Sequence, residues 1–338
     1  MRDWRLPEHR CEAFLRFYSF HLKYRTHPGC VYFLLPELVS YIGDGPGARA
    51  WTVWLNGNTQ NPVTTQLLLE ASNGDPEQWE AAVRFWNDHF TDLEWDTDRR
   101  HQKGKFGEAT QKWAQRLVLG DPADEWEFNG LLGWENTWRY ANLQPYMGRL
   151  SAWSMTEYAK ILIPGVPDAA TLMLRDWSGS NSHRNGLALI AGNDSVYWGP
   201  RDTPEDLVPQ LESLGESLRQ EARDRNPGNP DVGYLTLESA LCTYKSWHKP
   251  NRRYPNVYAD MHYNRVKRAE GKFGTRFGVQ WDARARHLPD YLLLEKSPGD
   301  PGLTARKQNH YLETGEPIMM HREWPDMANS FNDEIELI

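Results

Sequence analysis

Glu12-Ala-Phe-Leu-Arg-Phe-Tyr-Ser-Phe-His-Leu-Lys-Tyr-Arg25 sets Phe14, Phe17, Tyr18 and Leu22 at steps of three and four residues. That spacing puts the four side chains on one stripe of an α-helix, which must be hidden against a core. The pattern continues outward along the chain. Pro62 to Ala71 reads as a helix with Pro62 in its first turn, where a missing N–H is harmless. Asp75 caps the next, which turns Trp79, Val83 and Trp86 inward. The spacing predicts further helices over 108–119, 151–163, 203–222, 234–247 and 256–270. Alternation of period two is scarce, and the short apolar run Leu187 to Ala191 is readable as strand or helix. The fold class is therefore mainly α.

Glycine and proline clusters mark loops at 43–47, 176–186 and 226–230. We expect one helical domain over 1–296, with lobes of roughly 1–140 and 141–296 around a cleft. An extended tail follows over 297–338, where periodicity gives way to Pro, Asp and Asn.

The totals narrow the class of protein. Three cysteines at scattered positions (Cys11, Cys30, Cys242) argue against a disulfide framework and fit a reducing compartment. No apolar run reaches signal-peptide or membrane-span length, so the expected location is the cytoplasm. Sixteen tryptophans demand burial of many indoles and offer surfaces on which flat groups stack. A net charge of −8 excludes non-specific coating of nucleic acid, yet basic residues gather between Lys245 and Arg276, enough for one local groove. The chain lacks a phosphate loop of the form GxxxxGK[ST], a GxGxxG, an HExxH and a CxxC, which removes the ATP-kinase, Rossmann and zinc readings.

Four segments can carry chemistry. In Leu143-Gln-Pro-Tyr-Met-Gly-Arg-Leu-Ser-Ala152 a glycine turn runs into a helix, whose free N–H groups suit a DNA phosphate; Gly148, Arg149 and Ser151 are the candidates. The string resembles the hairpin of helix–hairpin–helix DNA glycosylases, L-P-G-h-G-x-x-T-A (h apolar), with Pro145, Gly148, Ser151 and Ala152 in register and Tyr146 in place of the first glycine. Leu55-Asn-Gly-Asn-Thr-Gln-Asn-Pro62 reads as a polar loop between two apolar helices. Its Asn56, Asn58 and Gln60 either fill the gap left by an extruded base, as a comparable stretch does in those glycosylases, or cap the helix at Pro62.

Arg175-Asp-Trp-Ser-Gly-Ser-Asn-Ser-His-Arg-Asn-Gly186 crowds Asp176, Ser180, Ser182, His183, Arg184 and Asn185 together, a mixture without a packing purpose and typical of binding or catalysis. Asp168 has surroundings that look like a helix cap. In Leu237-Glu-Ser-Ala-Leu-Cys-Thr-Tyr-Lys245, Glu238 and Lys245 share a helical face, as a site or as a plain surface ion pair. Arg252, Arg253 and Tyr254 follow, and paired guanidinium groups near a lysine suit a phosphate or pyrophosphate group.

These segments together resemble the bacteriophage family of thymine hypermodification: amino acid:DNA transferases, α-glutamyl/putrescinyl thymine pyrophosphorylases and the helical half of 5-hydroxymethyluracil DNA kinases. The match rests on Gly148 to Trp153, on Asp176 to Gly186, and on Leu237 to Lys245 with Arg252 to Pro255, within roughly 50–270. The resemblance implies a helical cleft for DNA, distant kinship with DNA glycosylases, and a pyrophosphorylated hydroxymethyluracil as substrate. The missing phosphate loop then favours a transferase that replaces pyrophosphate with an amine such as glycine. The base must first leave the duplex stack. Asp176 is the expected catalytic carboxylate, with Glu238 next and His183 beside them; Arg184, Lys245, Arg252 and Arg253 would hold the pyrophosphate. Mg2+ could assist the leaving group, although no dedicated site is legible. A glycosylase releasing free base, a non-catalytic reader of modified DNA and an assembly protein are the alternatives.

Overall fold

The computed structural model describes residues 6–96, 99–178, 181–193, 204–244, 257–289 and 293, and every regular element there is helical. The helix opened by the Phe14 stripe spans Pro7–Tyr24 (α1). It begins at Pro7 and stops where Arg25 takes a left-handed conformation. The Pro62–Ala71 helix (α4) has the expected bounds, and the Asn61 side chain caps it by accepting the Val63 N–H. Asp75 caps a short turn that leads into Trp79–Asp88 (α5).

Of two long helices, His27–Ile42 (α2) has no counterpart among the predicted ones, and Pro46–Thr59 (α3) is the apolar helix expected ahead of Leu55, extended through the segment read as a loop. Both are buried around their whole circumference along their central turns. Residues Cys30 to Leu35 are each at most 1% exposed, and Ala50 to Thr59 are all buried. A helix without a wet side has no polar stripe, so its sequence carries no period to detect. The segment read as a polar loop, Asn56 to Gln60, is the end of α3. Asn58 donates to the Trp54 carbonyl at 2.9 Å, and Asn56 accepts the Thr65 hydroxyl at 3.0 Å. Internal partners let these amides stay helical and buried.

Short helices Arg100–Lys103 (α6) and Phe106–Ala114 (α7) follow, then Pro122–Leu131 (α8), Trp134–Asn142 (α9) and Arg149–Leu162 (α10). The Leu187 run is helical, within Ser182–Ile190 (α11). The loop expected over 176–186 therefore ends at Asn181, and His183, Arg184 and Asn185 lie on a helix. Val208–Arg225 (α12), Tyr234–Tyr244 (α13), Val257–Phe273 (α14) and Gly278–His287 (α15) complete the described elements.

One apolar core joins α1 to α11, α12 and α13 through Phe14, Tyr18, Leu187, Leu218, Leu241 and Tyr244. A second fills the space among α2–α5 and α7–α10. Tryptophans supply much of its bulk: Trp113 stacks on Trp51 and Trp54 with ring centres 5.1 and 5.5 Å apart. The Trp51 and Trp54 N–H groups are satisfied by Ser72 and Thr110. Helices α3 and α10 meet closely because Gly57 has no side chain; a Cβ there would lie 2.4 Å from the Met155 Cε.

Candidate active site

Two close approaches place the polar groups. The first is α11 against α13, where a Cβ on Gly186 would stand 2.5 Å from the Leu241 carbonyl oxygen. This contact brings His183 Nδ1 to 3.4 Å from Glu238 Oε1. The second is the capping of α13 from a distance: Asp168 accepts the Tyr234 and Leu235 N–H groups at 2.8 and 3.1 Å. Asp168 is thus a helix cap, for a helix that starts 66 residues further on.

Helix α10 enters the same region at its first residue. Gly148 precedes it in an extended conformation, and Tyr146 adopts the left-handed φ of 60° where the glycosylase-like hairpin carries glycine. The turn therefore forms without that glycine. Arg149 points inward. Its Nε donates to Asp176 at 3.0 Å, its Nη2 lies 3.3 Å from His183 Nε2, and its Nη1 lies 4.0 Å from Glu238. Arginine only donates, so His183 Nε2 accepts, and in the neutral ring the proton sits on Nδ1, facing Glu238.

Further along the same face of α10, Trp153 packs beside the guanidinium, and Glu157 follows one turn later. Glu157 is buried and accepts hydrogen bonds from Tyr32 at 3.0 Å and from Ser239 at 3.2 Å. Burial pushes its carboxyl up to about 8, with the nearby Glu238 charge adding to the rise against the two hydroxyls. Asp176 behaves oppositely. Partial burial disfavours its charge, but the Ser178 hydroxyl and N–H, together with Arg149, outweigh that and hold it below the usual carboxylate range. The Asp176 side chain is 22% exposed against 3% for Glu238, so Asp176 is the carboxylate that solvent reaches.

The sequence reading set Asp176, Glu238 and His183 at the catalytic centre and Arg149 at the DNA backbone; the fold gathers all four at one point. Arg149, expected at a DNA phosphate, is engaged internally instead. Arg184 is fully buried and gives its guanidinium to the main-chain carbonyls of Leu174 and Asp176 at 3.2 and 2.7 Å, which fixes the loop. Ser151 is buried against Gln102, Asn185 is nearly buried on α11, and Ser182 is half-buried at the start of that helix. Gly148 is exposed. Asn56 and Asn58 lie inside the second core, while Gln60 reaches Ser154 at 3.4 Å. The fold does not bring these three amides to the Arg149 cluster. Ser180, Lys245, Arg252, Arg253 and Tyr254 lie outside the described residues.

Glu157, Tyr32 and Ser239 escaped the sequence reading. A signal existed for Glu157: Arg149, Trp153 and Glu157 recur every four residues, which places them on one helical face. The basic run also changes meaning. Arg268 forms a two-pronged pair with Glu94, and Arg265 pairs with Asp96, so part of the positive charge is neutralised by acids distant in sequence. Among the described residues no group of three or more His, Cys, Asp and Glu is arranged to hold a metal ion. The centre of the carboxylates is occupied by the Arg149 guanidinium.

The sequence profile of the amino acid:DNA transferase family matches residues 48–258, which include every member of this cluster except Tyr32. The chain belongs to that family. A serinyltransferase of Salmonella phage ViI is 26% identical to this transferase over 305 residues, covering 82% of this chain and 68% of the phage protein. No solved structure matches it. The enzyme is therefore a transferase of DNA hypermodification, with DNA and an amino acid as partners. The cluster lends itself to such a reaction. Asp176, held ionised, meets solvent beside the Arg149 guanidinium, an arrangement able to receive an ammonium group.

Proposed function

We propose that this transferase joins the amino group of a small amino acid to the 5-methylene carbon of a modified thymine in DNA. The substrate is 5-pyrophosphoryloxymethyl-deoxyuridine. A C–N bond forms, the C–O bond to pyrophosphate breaks, and the ammonium proton passes to a carboxylate. The observation that carries this reading is the solvent-reached, ionised Asp176 at the edge of the Arg149 cluster, inside a chain of the amino acid:DNA transferase family.

Chemistry supports the remaining parts. A methylene carbon on the pyrimidine ring is electrophilic when it bears pyrophosphate, because the ring delocalises developing positive charge. The duplex buries that carbon, so the base is extruded for reaction. Glycine is the amine that the sequence resemblance implies; the name of the phage relative makes serine the next to test. Lys245, Arg252 and Arg253 are the proposed pyrophosphate ligands, with Mg2+ as an optional aid. The proposed place of action is the host cytoplasm; no described helix is long and apolar enough to cross a membrane.

Incubating the enzyme with DNA carrying the pyrophosphorylated base and a panel of amino acids, followed by mass analysis of nucleosides, tests the proposal. An aminated nucleoside with stoichiometric pyrophosphate is expected. Free base with abasic sites would indicate a glycosylase, and unchanged nucleosides with retained binding would indicate a reader.

A further inference from the structure

Twelve of the sixteen tryptophans lie within the described residues, and only Trp177 among those twelve is exposed. The others fill the cores or half-buried seams. An indole left 40% open to water loses the burial that justifies so large an apolar group. Trp177 also follows Asp176 directly. Its ring lies against Arg184, with the guanidinium carbon 4.2 Å from the ring centre. Arg184 is itself fully buried and pinned by two main-chain carbonyls, so one face of the indole rests on a fixed planar cation. The exposure belongs to the rest of the ring.

We propose that Trp177 is the stacking platform for the target base: the extruded pyrimidine lies on the open indole face, beside the Asp176 carboxylate. This inference rests on the proposed reaction at Asp176, since it names how that site receives its DNA substrate. Arg184, which underlies the indole, also donates to the Asp176 carbonyl at 2.7 Å, so the platform and the carboxylate are held by one guanidinium. Stacking is indifferent to the base's hydrogen-bonding edge. Trp177 therefore supplies affinity for an unstacked pyrimidine, and other groups supply discrimination. The roles of neighbouring residues divide accordingly: Arg184 sets the platform, Trp177 holds the ring, and Asp176 meets the amine.

The test compares wild type with Trp177→Ala, Trp177→Leu and Trp177→Phe on duplex DNA carrying 5-hydroxymethyluracil next to 2-aminopurine, whose emission rises when its neighbour leaves the stack. No amino acid is added, so the outcome is independent of turnover. Binding of wild type should raise the emission. Trp177→Ala should abolish the rise and weaken affinity roughly 5- to 150-fold, the range for loss of one base–aromatic stack. Trp177→Phe should restore most of both and Trp177→Leu neither, whereas a merely structural apolar role would be rescued by Leu. Rescue by Leu, an undiminished rise in Trp177→Ala, or no rise with wild type overturns the proposal. Failure of the amination assay with a normal 2-aminopurine response would overturn the proposed reaction and leave the platform standing.

Discussion

Asp176 and Glu157 are both carboxylic acids of one cluster, yet their surroundings push them to opposite protonation states. Asp176→Asn keeps the shape and the Ser178 contacts while removing the charge. It should fold, bind DNA and form no product, with Glu238→Gln as the comparison. Near-normal turnover of Asp176→Asn with loss only in Glu238→Gln would move the role to α13. Glu157 gives a stability signature. The native state keeps its proton up to about pH 8, whereas the unfolded chain releases it near the ordinary 4.5. Between those values the native state binds more protons, so stability falls as pH rises through the interval and levels off above it. Glu157→Gln should remove that slope, so the melting temperature of the variant should gain on wild type as pH goes from about 5 to about 8. A constant gap across the range would show that another group titrates. Asp176, His183 and Glu238 were legible as candidates because each sits in a segment of unusual chemistry. Their convergence on Arg149 was not legible, because nothing local to residue 149 says that its side chain turns inward.

At the scale of elements, the site depends on how closely α11 approaches α13. Gly186→Ala places a methyl group 2.5 Å from the Leu241 oxygen, a main-chain atom that cannot swing aside. The helices must part, at a cost of about 1–3 kcal/mol. The same movement separates His183 from Glu238, so activity should fall further than stability does. Thermal melting and turnover measured together check this; intact turnover in a destabilised variant would mean that the two helices are not the frame of the site. Element boundaries also show what the sequence could reveal. Helix α1, with one wet face, announced itself by its period, and α4, buried from Pro62 to Leu69, by the proline that opens it. The largely buried α2 showed no such period, and the amides at the end of α3 looked like a loop because their partners, Trp54 and Thr65, are found only in the folded chain.

For the whole molecule, α1 lies outside the 48–258 span of the family profile, yet it completes the core under α11 and α13. Its hold is polar as well as apolar: Arg10 donates to the Leu189 carbonyl at 2.9 Å, and Tyr18 meets Thr236 at 2.6 Å. Deleting the chain through Arg25 should expose Leu187, Leu237, Leu241 and Tyr244 and abolish a cooperative melt, as circular dichroism and solubility would show. A truncated protein that melts cooperatively would mean that the core closes without α1. There is a consequence for the protein's birth on the ribosome. The aromatic stripe of α1 shares its core with Cys30, Phe33 and Leu34 of α2, but most of its partners are encoded more than 160 residues later, from Leu187 onward. At about 5–20 residues per second, α1 waits roughly 10–30 s with most of that stripe uncovered. Until α11 to α13 are translated, the nascent chain is a client for chaperones.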